Sequence, residues 1–158
     1  MRMRNRTATL LLALAVPTVA AVPGHALSPP PNETPDPAIT DGSAQRALDR
    51  ARAAWAKAGI RTYRVRVALG CFCPEEIRKP RTLTVRRGSP VRPPAHLKAV
   101  ATVPRMFRTV QGAIDDRVAG LTVTYGGRGV PRSIAIDVSR QIADEESFYT
   151  IDRFKRLG

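Results

Sequence analysis

The chain has 158 residues, of which 26 are lysine or arginine and 13 are aspartate or glutamate, so its formal charge at pH 7 is +13. Two histidines and two cysteines leave little material for a zinc site or a histidine-assisted nucleophile. This length suits one domain with a modest core. The excess of arginine has two explanations that the sequence leaves open: the codon bias of a GC-rich genome, and selection for an anionic partner.

The first 26 residues are typical of a secretory signal peptide. Three arginines precede an apolar run from Ala8 to Val22, and Gly24-His25-Ala26 places small residues at a cleavage site. The run is too short to be a membrane span. We predict cleavage after Ala26, with Ala21 as the alternative, and secretion to the extracellular space or cell wall. Removing 26 of 158 residues leaves 132, and losing three arginines lowers the charge from +13 to +10.

Residues 27–42 are predicted to form a disordered linker. They contain Pro29-Pro30-Pro31, Pro35 and Pro37 and few apolar residues, a composition that cannot build a core. The folded domain is therefore expected over residues 43–158.

A first helix is predicted from Ser43 to Ala58. Leu48, Ala51 and Trp55 recur at intervals of three and four residues and form one apolar stripe. Gly59 can end the helix. Trp55, the only tryptophan, is interpreted as a core anchor rather than a ligand platform.

Two alternating segments predict a β-hairpin. In Tyr63–Leu69 every second side chain is apolar or aromatic, so Arg64 and Arg66 face the other way. The segment Thr82–Arg86 alternates in the same manner and points Arg86 outward. We interpret these three arginines as a candidate face for an anionic partner, such as a wall polymer, a lipid headgroup or an acidic protein. The alternative is a solvated polar face.

The hairpin tip, Gly70-Cys71-Phe72-Cys73-Pro74, holds both cysteines. This spacing puts the two side chains on one side of an extended chain with Cα atoms roughly 6.5 Å apart. That is near the upper end of the disulfide range, so a bond needs a local bend. Export to an oxidising compartment favours a disulfide. A redox-active or soft-metal thiol pair and two free thiols remain as alternatives, although redox cysteines usually precede a helix rather than lie between strands.

The second half of the chain predicts one helix and three strands. The helix runs from about Val103 to Val118, and the strands cover Leu121–Tyr125, Ser133–Val138 and about Ser147–Asp152. The glycine-rich segment 126–129 lies between strands and does not open a helix, which argues against a phosphate-binding loop. The order α-β-β-α-β-β-β predicts an α+β fold, with a single antiparallel sheet of about five strands and two helices packed on one face.

Enzymatic chemistry has little support in the sequence. A histidine-dependent hydrolase needs a base beside its nucleophile, and only His96 remains after cleavage. Asp137 and the cluster Asp144-Glu145-Glu146 could supply a glycosidase pair, but the chain is short for a substrate cleft. Nucleic-acid binding is disfavoured by export and by the lack of aromatic residues among the basic ones. We expect no enzyme activity, no cofactor, no metal and no membrane span in the mature protein.

Several residue groups follow one another in a recognisable order: Trp55, Tyr63-x-Val65, Cys71-Phe72-Cys73-Pro74, Leu83-Thr84-Val85, Gly129-Val130-Pro131-x-x-Ile134-x-Ile136-Asp137 and Ala143-Asp144-Glu145-Glu146. Over about residues 43 to 156, this order and spacing resembles the DUF6174 family of secreted or lipid-anchored bacterial proteins of unknown function. Relatives often carry a lipobox cysteine, which this chain lacks. The resemblance implies no activity, cofactor or catalytic residue.

We therefore predict a secreted, non-enzymatic binding or interaction domain of the bacterial cell envelope. The alternative is a thiol–disulfide or soft-metal protein that acts through Cys71 and Cys73.

Overall fold

The computed structural model of the protein describes residues 33–142 and 146–158. The predicted signal peptide (1–26) and the first part of the predicted linker (27–32) lie outside these residues, and so do residues 143–145. Within the described ranges, no helix combines the length and the apolar character needed to cross a membrane.

The secondary-structure elements agree closely with the predicted order. In sequence they are α1 (Pro37–Thr40), α2 (Ser43–Ala58), β1 (Tyr63–Gly70), α3 (Glu75–Arg78), β2 (Arg81–Arg86), β3 (Ser89–Pro90), a 3-10 helix (Ala95–Val100), α4 (Val103–Asp115), β4 (Gly120–Tyr125), a 3-10 turn (Gly127–Gly129), β5 (Pro131–Asp137) and β6 (Ser147–Arg156).

The six strands of the described residues belong to one antiparallel sheet with the order β3-β2-β1-β6-β5-β4. The predicted α+β fold with a single antiparallel sheet is thereby confirmed. The sixth strand is the two-residue β3, which pairs with the end of β2. The last strand, β6, pairs with the first strand, β1, from Tyr63 opposite Arg156 to Gly70 opposite Phe148, and this pairing joins the two halves of the chain.

The core lies between the sheet and the helices α2 and α4. Tyr63, Val65 and Val67 of β1 are almost completely buried and face these helices. The Tyr63 hydroxyl accepts a hydrogen bond of 2.8 Å from the backbone N–H of Val103, at the start of α4. This contact ties the central strand to the second long helix. Because burial disfavours the phenolate, it raises the pKa of Tyr63 to about 12.

An aromatic cluster packs at the end of α2. The ring of Trp55 meets those of Tyr63 and Phe154 edge-on, with ring centres 5.4 and 5.9 Å apart. Trp55 is half-buried against the core, so its position agrees with the interpretation as a packing residue.

A β-bulge interrupts β6. Asp152 lies opposite Arg66 and Lys155 opposite Arg64, so two residues of β6 oppose the single Val65 of β1. The extra residue, Arg153, has a φ of 48°, which is the left-handed conformation common in such bulges. β6 runs to Arg156, beyond its predicted end at Asp152. The prediction missed this extension because the bulge breaks the alternation from which a strand is predicted.

The prediction of a disordered linker over residues 27–42 is wrong for its described part. The backbone N–H of Asp36 donates to the Val118 carbonyl at 2.9 Å. Its carboxylate accepts from the N–H groups of Ala38 at 2.7 Å and Leu121 at 3.0 Å. This one side chain therefore begins α1 and satisfies a backbone donor of the edge strand β4. Such long-range bonds order a segment whose composition alone predicts disorder.

Candidate functional site

One face of the sheet is covered by α2 and α4, and the opposite face, here called the open face, carries mainly polar side chains. Directly opposite residues of antiparallel neighbours lie on the same face. The strand register therefore assigns the following residues to the open face: Arg64, Arg66, Ala68 and Gly70 of β1; Thr82, Thr84 and Arg86 of β2; Phe148, Thr150, Asp152 and Lys155 of β6; Ser133, Ala135 and Asp137 of β5; and Gly120, Thr122 and Thr124 of β4.

The three arginines predicted from the sequence to share a face all lie on the open face. Arg64 and Arg86 are exposed, and Arg66 is partly covered. The Arg66 Nε lies 3.2 Å from the Asp152 Oδ1, so one of the three arginines has a carboxylate partner. An exposed ion pair of this kind contributes at most about 1 kcal/mol to stability.

Lys155 is a fourth cation on the open face that the sequence analysis missed. It lies directly opposite Arg64 across the β1–β6 pair. Simple alternation from Ile151 would turn both Arg153 and Lys155 toward the helices. The bulge adds one residue to β6, so Lys155 lies on the open face instead. The one available signal was Phe154, an aromatic residue at a position where alternation from Ile151 predicts an outward side chain.

The unpaired positive charge is the main electrostatic property of this face. Among the residues that the structure describes, Arg64, Arg86 and Lys155 take part in none of the four ion pairs. Side chains at directly opposite positions are about 5 Å apart, and like charges placed there repel each other. The open face can therefore attract an anion that would relieve the repulsion between Arg64 and Lys155.

The two cysteines form the bend that their spacing requires. Cys71 and Cys73 are paired at disulfide distance, with Cα atoms 5.3 Å apart. Directly after Pro74 comes the one-turn helix α3, whose first turn contains Glu75 and Glu76. Redox-active cysteines need an electropositive surrounding, often at the N-terminus of a helix. Arg78 lines the hollow at this loop together with both cysteines, but α3 has only four residues and begins with two carboxylates. The geometry therefore suits a structural loop better than a redox centre.

Exposed aromatic side chains surround the cysteine loop. Phe72 is 88% exposed between the two cysteines, and Phe148 is 46% exposed opposite Gly70. A Cβ on Gly70 would lie 3.5 Å from the Phe148 side chain, which is an ordinary van der Waals contact. Nothing in the described part of the chain covers Phe72.

Two of the carboxylates considered for glycosidase chemistry, Asp137 and Glu146, lie within the described residues and line the same hollow. Asp36, Asp137 and Glu146 line a hollow of about 240 Å³ beside β4 and β5. The Asp36 carboxylate is occupied by two backbone N–H groups. Asp144 and Glu145 lie outside the described residues. In residues 33–142 and 146–158, no cluster of histidine, cysteine, aspartate and glutamate has a metal-binding arrangement.

These features define a small α+β domain whose sheet has one covered and one open face. The sequence profile of DUF6174, a family of unknown function, matches residues 47–156. The chain therefore belongs to the DUF6174 family, which confirms the resemblance inferred from the residue pattern. Comparisons with curated proteins and with solved structures find no match. All of β1 to β6 lie within the matched residues, so the open face is part of the family domain.

Proposed function

We propose that this protein is a secreted, non-enzymatic binding domain of the bacterial cell envelope that docks an anionic wall polymer on its open face. The observation that carries the proposal is the uncompensated positive charge on that face. Arg64 and Lys155 are directly opposite each other, and no carboxylate of the described residues pairs with either. A bound anion would turn this repulsion into an attraction.

The arrangement of the charges favours an extended partner over a single headgroup. The cations of the open face are distributed over β6, β1 and β2, and neighbouring strands are about 4.8 Å apart. Threonine hydroxyls of β2 lie directly opposite Arg64 and Arg66 and can donate hydrogen bonds to the same partner. A polymer with repeated negative charges can contact several of these groups at once, and such multivalent contacts add up to a useful affinity.

Export, which the signal-peptide pattern predicts, would bring the open face to the cell wall. The thiol–disulfide alternative through Cys71 and Cys73 has less support, because the helix that follows the pair, α3, has only four residues and begins with Glu75 and Glu76. So short a helix offers little of the N-terminal dipole that activates redox cysteines.

The proposal can be tested by sedimentation with isolated bacterial cell walls. Protein from a culture supernatant is mixed with intact walls, and with walls from which anionic polymers have been extracted, at low and high salt. The open-face variant is Arg64→Ala/Arg86→Ala, which leaves the Arg66–Asp152 pair in place. The matched control is Lys57→Ala/Arg108→Ala, which removes two exposed cations from α2 and α4.

We expect wild type and control to sediment with intact walls at low salt and to be released at high salt, because exposed charges are screened. Extracted walls and the open-face variant should give little binding. Equal sedimentation of the open-face variant and wild type would refute the proposal. Binding to anionic lipid vesicles but not to walls would refute the wall polymer as the partner.

A further inference from the structure

A cleft opens where the sheet splits between β5 and β6. The two strands pair only from Ser133 opposite Thr150 to Ile136 opposite Ser147. Beyond Thr150, β6 continues to Arg156 and pairs with β1 alone. The turn between β4 and β5 lies beside this unpaired part of β6. Together they enclose a cavity of about 330 Å³.

Three arginines from different elements line this cavity. Arg128 comes from the β4–β5 turn, Arg132 from β5 and Arg153 from the bulge of β6. The only carboxylate of the lining is Asp152, which is already paired with Arg66. Three guanidinium groups and one carboxylate give the lining a formal charge of +2. None of the three arginines belongs to an ion pair among the described residues.

The backbone around the cavity is held by close packing. A Cβ on Gly126 would overlap the Arg132 guanidinium, and a Cβ on Gly129 would overlap the backbone of Ala51 in α2. The turn is thus fixed between α2 and Arg132. Arg128 and Arg153 both have positive φ angles, of 61° and 48°, a conformation that disfavours residues with a Cβ. Both positions nevertheless hold arginine, although glycine could adopt these φ angles without strain.

We propose that this arginine cleft is a binding site for a phosphate monoester. The planar guanidinium group matches the oxygens of a phosphate with paired hydrogen bonds. A phosphate monoester has a charge of about −1.5 to −2 near neutral pH, which balances the formal charge of the lining. The volume also leaves room for the group that carries the phosphate. Recognition here comes from side chains, so a glycine-rich phosphate loop is not required.

This site is distinct from the docking of a polymer on the open face. Arg128, Arg132 and Arg153 lie outside the open face as its residues are defined above. Asp152 is the residue that links the two sites, because it lines the cleft and pairs with Arg66. Either site can therefore be removed by substitutions that leave the other intact.

The test is a titration of the purified protein at constant ionic strength, in which binding is monitored by NMR and by calorimetry. The probes are inorganic phosphate, glycerol 3-phosphate and, as a monovalent comparison, acetate. We expect saturable binding of both phosphates and much weaker binding of acetate. The cleft variant Arg128→Gln/Arg153→Gln should bind phosphate at least about tenfold more weakly, because two charge-assisted hydrogen-bond donors are lost.

The control Arg92→Gln/Arg117→Gln removes the same charge from two arginines that also have positive φ, of 44° and 53°, but lie elsewhere. It should bind phosphate as wild type does. Circular dichroism and a thermal transition establish that each variant is folded. An equal loss of affinity in both double variants, or the absence of saturable phosphate binding by wild type, would overturn the proposal.

Two further measurements distinguish a lipid source of the phosphate from a free one and separate the cleft from the open face. Vesicles with phosphatidic acid, compared with pure phosphatidylcholine vesicles, present the monoester on a lipid. Binding to them that depends on Arg128 and Arg153 supports a lipid source, and binding of soluble monoesters alone supports a free one. Arg64→Ala/Arg86→Ala should keep the phosphate affinity. If that variant loses phosphate binding while the cleft variant keeps it, the cleft proposal is wrong and the open-face proposal stands.

Discussion

Five residues other than glycine have a positive φ in the described part of the chain, and all five are arginines: Arg87, Arg92, Arg117, Arg128 and Arg153. The left-handed conformation costs a residue with a Cβ roughly 1–2 kcal/mol relative to the ordinary helical region. At Arg128 and Arg153 this cost coincides with the cavity, where the guanidinium groups have a proposed use. Arg87, Arg92 and Arg117 have the same backbone conformation away from this cavity, so the conformation by itself does not identify a site.

Arg128→Gly is therefore expected to stabilise the protein. Relief of the left-handed strain outweighs the greater freedom of glycine in the unfolded chain, and we expect a gain on the order of 0.5 kcal/mol in the free energy of unfolding. Urea denaturation measures this gain. Arg117→Gly, which relieves the same strain after α4, should give a similar gain but keep phosphate affinity, whereas Arg128→Gly should lose it. Destabilisation by Arg128→Gly would show that its side chain contributes to the fold.

The cysteine pair makes a second prediction at the residue scale. Because the loop between Cys71 and Cys73 is very short, closing it removes little entropy from the unfolded chain. Cys71→Ala/Cys73→Ala should lower the free energy of unfolding by only about 1 kcal/mol. Intact mass with and without reductant should differ by two hydrogens per monomer. A loss of several kcal/mol would mean that this loop organises the hairpin, and a disulfide-linked dimer would contradict the intrachain bond.

At the scale of elements, the pairing of β1 with β6 brings Arg64 and Lys155 together. Lys155→Glu should replace repulsion with attraction and raise the free energy of unfolding by about 0.5 kcal/mol at low salt. The gain should shrink as salt is added. In an Arg64→Ala background the same substitution should give almost no gain. A gain of equal size in that background would show that Lys155 does not interact with Arg64.

The contact between β1 and α4 predicts a loss of stability at alkaline pH. Burial raises the pKa of Tyr63 from 10.0 to about 12, so between these values only the unfolded chain ionises there. Stability is complete below pH 10 and falls as the pH rises toward 12, by up to about 2–3 kcal/mol from this group. Tyr125 acts in the same direction, because burial raises its pKa to about 12 as well.

Unfolding by urea between pH 8 and 12 measures this fall, and Tyr63→Phe is the matched variant. At neutral pH the variant should be about 1 kcal/mol less stable, because the Val103 N–H loses its acceptor. Its alkaline loss should be clearly smaller than that of wild type. The same alkaline loss in both proteins would assign the effect to other groups.

At the scale of the whole molecule, the two helices leave one side of the sheet uncovered, and the predicted export would determine what that side meets. We predict that the exported protein begins at Leu27, because Gly24-His25-Ala26 supplies the small residues of a cleavage site. N-terminal sequencing of protein from the culture medium checks this. A start at Val22 would support cleavage after Ala21, and an uncleaved precursor in the membrane would contradict secretion.

The sequence by itself determined the local elements of this protein. It predicted α2 at both of its ends, since the Leu48 and Ala51 stripe repeats with helical period and Gly59 adopts a φ of 59° where the helix stops. It also predicted the β1–β2 hairpin and the outward direction of Arg64, Arg66 and Arg86. These features depend on neighbours within a few residues, and periodicity records such neighbours directly.

Only the tertiary structure decided how distant segments combine. Local periodicity does not reveal that β6 pairs with β1, or that the bulge at Arg153 moves Lys155 onto the open face. It also cannot show that Asp36 anchors a proline-rich segment to β4. The fold alone brings Arg153 of β6 to Arg128 and Arg132 of the β4–β5 hairpin. Each of these arrangements depends on contacts between residues far apart in sequence, whose energies leave no repeating pattern along the chain.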